Sequence, residues 1–339
     1  MKVAFFDNLP EGGAKRVLVE EIKGLSVKHE VVHFSQARHC PPQVGFRPID
    51  DLVKITYSYL FQRYVAYRIN KLKCDVCIVH PDQNTQAPFL LRFLTVKSVY
   101  VCQEPLRLVY DPANKIPDDW PVVNKVYENL YRRALRAIDR RNLLSANVIL
   151  ANSHFSRRQI AKCYGVNPHV VYPGVDTSVF RPLGIAKEPF VLFVGGKNDI
   201  DGHDRLEKLR PYFLRKGISV KEIYFNVIPD LPRPSKPGEV GIGNPYKKNK
   251  NTGSRIKCGM TPRARNDSEM AILYNQAVCL LALDRREPFG LKVLEALACG
   301  TDVIAVSDGG YREIAKLYQN HGIKYFSWKK HCENILNYC

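Results

Sequence analysis

Two glutamates eight positions apart, Glu287 and Glu295, lie in the stretch DRREPFGLKVLEALACGTDVIAVSDGG (284–310). An apolar run, VCLLAL, leads into a loop carrying Glu287, Pro288, Phe289 and Gly290. A helix then begins, Gly300 ends it, and the run DVIAV follows. This order aims the backbone N–H groups of Gly290 and Leu291 out of the helix start. Together with the helix dipole they favour a diphosphate or sugar oxygens. Near that start the Glu295 carboxylate could accept hydrogen bonds from two neighbouring hydroxyls, as on a ribose, and Glu287 could reach a sugar ring. Spacing alone leaves another reading open: two surface glutamates around an ordinary strand-to-helix turn, because helix starts favour Glu anyway.

Gly12 and Gly13, in NLPEGGAKRVLVEEI (8–22), also follow a strand and open a helix. Glycines there let a ligand approach the backbone closely. The pattern is not G-x-G-x-x-G, so dinucleotide binding is disfavoured, and tight turns use Gly in any case. Cys74 and Cys77 stand three apart in KCDVCIVH, but no second pair follows at zinc-site spacing and the segment reads as a buried strand. The ten cysteines form no regular framework and are expected to be reduced thiols.

The elements that must position these residues alternate along the chain. Strands are expected at 2–6, 30–34, 75–79, 98–102, 147–151 and 169–173, with helices at 14–28, 51–73 and 121–144. The Pro- and Gly-containing segment 172–189 reads as a linker. A second series follows, with strands at 190–195, 222–228, 278–283 and 302–306. Strand–helix alternation with β-branched runs predicts α/β architecture: two successive doubly wound units with a cleft between them. Residues 229–266 lack periodicity. Within them, 247–265 carries seven Lys or Arg and no Asp or Glu, which suits a solvated loop or a basic flap over phosphate.

Lys plus Arg number 51 and Asp plus Glu 33, a net charge of +18 that implies an anionic partner. No basic–aromatic nucleic-acid module is recognisable, so nucleic acid is not expected as a partner. Helix 51–73 mixes Tyr, Phe, Lys and Arg, which suits an anionic membrane surface or a core helix with basic edges. No run of 18 apolar residues reads as a spanning helix. MKVAFFDNLP reads as a first strand and not a signal peptide, so a cytoplasmic protein is expected, with peripheral attachment to the inner membrane face.

Segment 284–310 resembles the E-x7-E signature of retaining glycosyltransferases of the GT-B fold, family 4. The stretch ILANSHFSRRQIAKCYGVNPHVVYPGVDTSVFRP (149–182) resembles that family's crossover. EGGAKRVLVEEIKGL resembles its first loop, and YFSWKKHCENIL (325–336) its closing helix. The resemblance implies two facing Rossmann-like domains, an acceptor-side domain at 1–175 and a donor domain at 186–326, with a closing helix at 327–339. It implies a nucleotide-sugar donor and a glycan, lipid-linked or small-molecule acceptor. Neither a cofactor nor a metal is implied, and the anomeric configuration would be retained. By the same resemblance Glu295 would bind the ribose. Glu287, with the backbone at Phe289, Gly290 and Leu291, would bind the donor sugar, and Gly12 and Gly13 would face donor phosphates or acceptor.

The sequence departs from the pattern in places. Gly196 and Asp201 stand where many members carry an Arg/Lys phosphate clamp, and Lys197 is the expected substitute. Gln103 and Glu104 stand where His and an acid are usual; Gln103 can hydrogen-bond a sugar but cannot act as a base. Asp199-Ile-Asp201 mimics the D-x-D metal motif of a different glycosyltransferase fold. The segment between Glu313 and Phe326 is short, so a shortened second domain is expected. These departures keep open a degenerate, non-catalytic nucleotide-sugar-binding or scaffold protein.

Overall fold

The computed structural model describes residues 1–10, 12–37, 41, 44–224 and 266–339. Its first series of elements is β1 (Lys2–Asn8), α1 (Gly13–Leu25), β2 (Glu30–Ser35), α2 (Arg47–Lys71), β3 (Val76–Asp82), β4 (Lys97–Val101), the short α3 (Arg107–Tyr110), α4 (Val122–Leu143), β5 (Val148–Ala151), α5 (His154–Tyr164) and β6 (His169–Val170). The second is β7 (Glu188–Gly195), α6 (His203–Arg215), β8 (Ser219–Tyr224), α7 (Asp267–Gln276), β9 (Ala277–Ala282), α8 (Leu291–Ala298), β10 (Asp302–Ala305), α9 (Tyr311–His321) and α10 (Trp328–Leu336).

The strands form two sheets, in the orders β2-β1-β3-β4-β5-β6 and β10-β9-β7-β8. Every pairing within them is parallel. Parallel strands need covered crossovers, so the central strands of each sheet are buried on both faces and read as continuous apolar runs, while the edge strands β2 and β10 stay partly exposed. In the first sheet Val3, Phe5, Val76 and Ile78 face a layer that includes Leu18 and Leu25 of α1 and Cys332 and Ile335 of α10. Ala4, Phe6, Cys77 and Val79 face the other way, onto Val65 and Ile69 of α2, Leu143 of α4 and Ile160 of α5. In the second sheet Leu192, Val194, Leu280 and Ala282 pack with α7 and α8, while Val191, Phe193, Cys279 and Leu281 pack with Leu206 and Phe213 of α6. Each Val, Leu, Ile or Phe among them contributes about 1.5–3 kcal/mol on full burial.

The C-terminal helix returns to the first sheet. α10 lies on α1 so closely that a Cβ on Gly24 would fall 2.6 Å from the Cys332 sulfur. Closing the chain in this way couples the second half to the first.

Several boundaries differ from the sequence expectation. α2 begins at Arg47 and not 51, because Pro48 is tolerated in a first helical turn, where its missing N–H has no helical partner to lose. The strand expected at 222–228 runs Ser219–Tyr224, starting three residues earlier. The edge strand β6 keeps only two of the five residues expected at 169–173. Residues 225–265, including the basic stretch 247–265, lie outside the described residues.

Candidate functional site

The starts of α1 and α8 face each other between the two sheets. α8 begins after Gly290, whose φ is +102° and whose added Cβ would fall 2.3 Å from the Tyr311 ring. Any other residue there would be strained and would clash, so glycine is required. No side chain caps either α1 or α8. The first N–H groups of a helix have no intrahelical acceptor, so both starts offer donors and positive dipole ends. Across the gap, a Cβ on Gly13 would lie 3.7 Å from Leu291 Cδ1.

One turn into each helix, Arg16 and Glu295 meet. The guanidinium lies 2.7 Å from Glu295 Oε1 and 3.3 Å from Asp267 Oδ1. It also stands over the Phe180 ring, 5.9 Å from its centroid. Glu295 is 4% exposed and accepts a 3.0 Å hydrogen bond from the Tyr274 hydroxyl at Oε2. Burial pushes its carboxyl above the usual range, against the pull of Arg16 and Tyr274. The surface-glutamate reading therefore fails for Glu295. An open cleft lies here, lined by Lys15, Arg16, Asp176, Phe180, Leu291 and Glu295 among others.

Glu287 sits in the loop before α8. Burial and the neighbouring Asp284 raise its carboxyl to about 7, opposed by Lys292 and Arg107. Lys292 forms an ion pair with Asp284 and donates to the Val194 carbonyl at 2.7 Å, which sets its ammonium at the end of β7. Arg107 pairs with Glu104 at 2.5 Å. The loop is tied to the first half: Ser153 Oγ donates to the Pro288 carbonyl at 2.6 Å, and Arg286 donates to Gln159 at 2.8 Å. A second open cleft lies beside it, with Glu104, Arg107, Tyr110, Phe155 and Arg286 in its walls.

The remaining expected residues divide. Phe289 is 2% exposed and packs in the second core, so only its backbone is available to a ligand. Gly12 precedes α1 with open space above its Cα. Gln103 has a buried Nε2 with no hydrogen-bond partner among the described residues. The Gly196 N–H already donates to Asp201 Oδ2 at 2.7 Å. Asn198 Nδ2 donates to the same oxygen at 2.9 Å, so the Asp201 carboxylate holds the turn after β7. Lys197 is exposed and lies over the Tyr224 ring, its ammonium 4.7 Å from the centroid. Among the described residues no group of three His, Cys, Asp or Glu is placed to hold a metal ion, and Cys74 and Cys77 are free thiols.

Sequence reasoning did not single out Arg16, Lys292, Arg107 or Tyr274. Arg16 and Lys292 each follow a helix-opening glycine within a few positions, the one signal that could have marked them.

Two parallel α/β units facing each other across such a cleft define the GT-B class of glycosyltransferase fold. The family model for Glycosyltransferase Family 4 matches residues 11–179, and that for Glycosyl transferases group 1 matches residues 240–329. The chain belongs to this family. It is 29% identical to D-inositol 3-phosphate glycosyltransferase 1 of Catenulispora acidiphila over 181 residues, 50% of this chain and 43% of that protein. The match thus spans less than half the length of that relative. The alpha-1,3/1,6-mannosyltransferase ALG2 of Saccharomyces cerevisiae is 22% identical over 359 residues, 91% of this chain and 69% of that one. The fold is shared with sucrose-phosphate synthase from Thermosynechococcus elongatus, with a TM-score of 0.58, 12% identity, and 99% and 94% of the two chains covered.

Proposed function

We propose that this chain is a retaining, metal-independent glycosyltransferase that moves a hexosyl group from a nucleotide sugar to a glycan, lipid-linked or small-molecule acceptor. The observation that carries the reading is the uncapped start of α8, flanked by Glu287 and the buried Glu295 and facing the Gly12–Gly13 turn across a cavity. In this reading Glu295 holds the ribose. Glu287 and the backbone of Phe289, Gly290 and Leu291 hold the donor sugar. The leaving diphosphate develops charge against the helix dipole, and that electrostatic stabilisation is the main catalytic contribution. Gln103 would hydrogen-bond sugar or acceptor, and the Gly12–Gly13 turn would face the phosphates. Lys197 and Gly196 are weaker donor ligands than the sequence suggested, since one lies over Tyr224 and the other's N–H serves Asp201. Lys292 is the better-placed cation at the end of β7. The acceptor-side domain would be residues 1–175, the donor domain 186–326 and the closing helix 327–339.

The exposed face of α2 supports an anionic membrane as the surface on which acceptor is met. Leu52, Leu60, Tyr64 and Tyr67 are each more than half exposed, with Arg63, Arg68 and Lys71 beside them. The opposite face, with Ser58, Gln62, Val65 and Ile69, is buried. A ligand-shift screen with UDP-, GDP- and ADP-sugars tests the reading. A thermal shift with one of them, followed by transfer of its sugar, is the expected result. Binding without turnover to any acceptor class would favour the degenerate alternative, and no shift with any donor would overturn both.

A further inference from the structure

We propose that Arg16 is a ribose-released phosphate clamp: it trades its ion pair with Glu295 for the donor diphosphate when the ribose takes that carboxylate. The inference rests on the glycosyltransferase reading and names how the cation for the leaving group reaches it. Both Glu295 oxygens are engaged, Oε1 by Arg16 and Oε2 by the Tyr274 hydroxyl. A ribose diol seeking that carboxylate competes with Arg16 first, because Tyr274 is fully buried and held in the core while the Arg16 side chain is 40% exposed. A guanidinium displaced from Glu295 keeps Asp267, 3.3 Å away but 54% exposed and so a weak partner, and is free to take up a further anion in the cavity.

The nearest place for one is set by the two helix starts. Gly13 faces Leu291 and, one turn on, Arg16 faces Glu295. The uncapped start of α8 is therefore about one turn, roughly 5 Å, from the position of the guanidinium, within reach of an Arg side chain. A guanidinium binds two phosphate oxygens at once, as it binds a carboxylate. Among the described residues, Lys15 in the same cavity wall and Lys292 at the end of β7 are committed elsewhere. Lys15 lies 2.7 Å from the buried Asp7, and Lys292 pairs with Asp284. Neither partner is a group that the ribose needs. Arg16 alone among these three is bound to the carboxylate assigned to the donor, so ribose binding and release of a phosphate ligand become one event.

The test is calorimetric binding of UDP, GDP and ADP, and of their parent nucleosides, to the full chain and to Arg16→Ala and Arg16→Lys. Arg16→Ala should bind the nucleoside more tightly than the parent, by a few-fold, because a competitor for Glu295 is gone. It should bind the diphosphate about tenfold or more weakly, the loss of a charge-assisted hydrogen bond. Arg16→Lys should fall between, keeping the charge without the fork. The ratio of the two affinities is internal to each variant, so partial misfolding does not change it. Equal weakening of nucleoside and diphosphate would make Arg16 a structural residue and overturn the proposal, as would an unchanged ratio. If the parent bound none of the three diphosphates, the donor reading itself would fall and this proposal with it.

Discussion

Glu21 on α1 and His331 on α10 are joined by a 2.9 Å hydrogen bond between side chains 310 positions apart. The other ring nitrogen of His331 lies 2.8 Å from the Tyr172 carbonyl. A carbonyl and a carboxylate only accept, so His331 sits between two acceptors. His80 of β3 reaches the second Glu21 oxygen at 2.7 Å. Burial pushes the Glu21 carboxyl up, but the charge of His80 and the hydrogen bond from His331 outweigh it and hold it at about 2. One buried carboxylate thus pins the closing helix, the first helix and the first sheet together.

Acid stability should report this clamp. A carboxyl depressed from 4.5 to about 2 binds its proton more readily in the unfolded chain. Its stabilisation is therefore present above pH 4.5 and lost as pH falls towards 2. Denaturant titrations across that range should show stability falling steeply in the parent and less steeply in Glu21→Gln. At neutral pH the same substitution should cost about 3–5 kcal/mol, as expected for breaking a buried charged pair. A cost under about 1 kcal/mol would place the cluster among interactions that contribute little.

Glu287 should set the lower limb of the pH–activity profile. Its carboxyl stands at about 7, raised by burial and by Asp284. The ionised form is the one that stabilises positive charge on the donor ring, so kcat/KM should rise as pH passes through about 7. Asp284→Asn removes the neighbouring negative charge and frees Lys292, and both changes move the limb to lower pH. A profile flat between pH 6 and 8 would dissociate Glu287 from the rate.

Much of the fold was legible because parallel strands buried on both faces read as apolar runs. All seven residues of β3 are buried, and the run DVCIV announces it. The glutamate spacing and the glycine before α8 were equally plain. What the sequence could not carry was contact between remote segments. Nothing local in AKRVL says that Arg16 meets Glu295, 279 positions on in the chain (295 − 16 = 279). Lys197 drew attention by adjacency to a Gly-Gly strand end, yet its stem turns outward onto Tyr224, and Lys292 reaches the end of β7 from a helix. The histidines at 80 and 331 looked unremarkable because their common partner is far from both.

Vesicle binding should follow the α2 face. Each Lys or Arg near an anionic surface contributes about 1 kcal/mol at low salt. Sedimentation with acidic liposomes should fall as salt rises. Replacing Tyr64 and Tyr67 with Ser should weaken it further, since aromatic rings settle at the interface. Equal binding to neutral and acidic vesicles would remove the electrostatic part of this proposal.

Transfer should survive EDTA. The Asp201 carboxylate accepts from Gly196 and Asn198, which ties it into the turn after β7. Activity abolished by chelator and restored by Mn²⁺ or Mg²⁺ would overturn the metal-independent reading.

The two glutamates should separate kinetically. Glu295 is assigned to the ribose, which is bonded alike in ground and transition states, so removing its charge should cost uniform binding. A hydrogen bond to a charged group is worth roughly 1.5–3 kcal/mol, which puts the rise in donor KM for Glu295→Gln at about 10- to 100-fold with kcat little changed. The same substitution leaves Arg16 without its carboxylate, so a freed guanidinium should partly offset the loss for donors that carry a diphosphate, and nucleosides should suffer more. Glu287 is assigned to the donor sugar, whose ring gains positive charge as the bond breaks, so Glu287→Gln should chiefly lower kcat. Circular dichroism must first show both variants folded, because Glu295 also holds the Tyr274 hydroxyl inside the second core. Should both leave KM and kcat within about twofold of the parent, the change in barrier would be under about 0.5 kcal/mol, and neither glutamate could hold the role assigned to it.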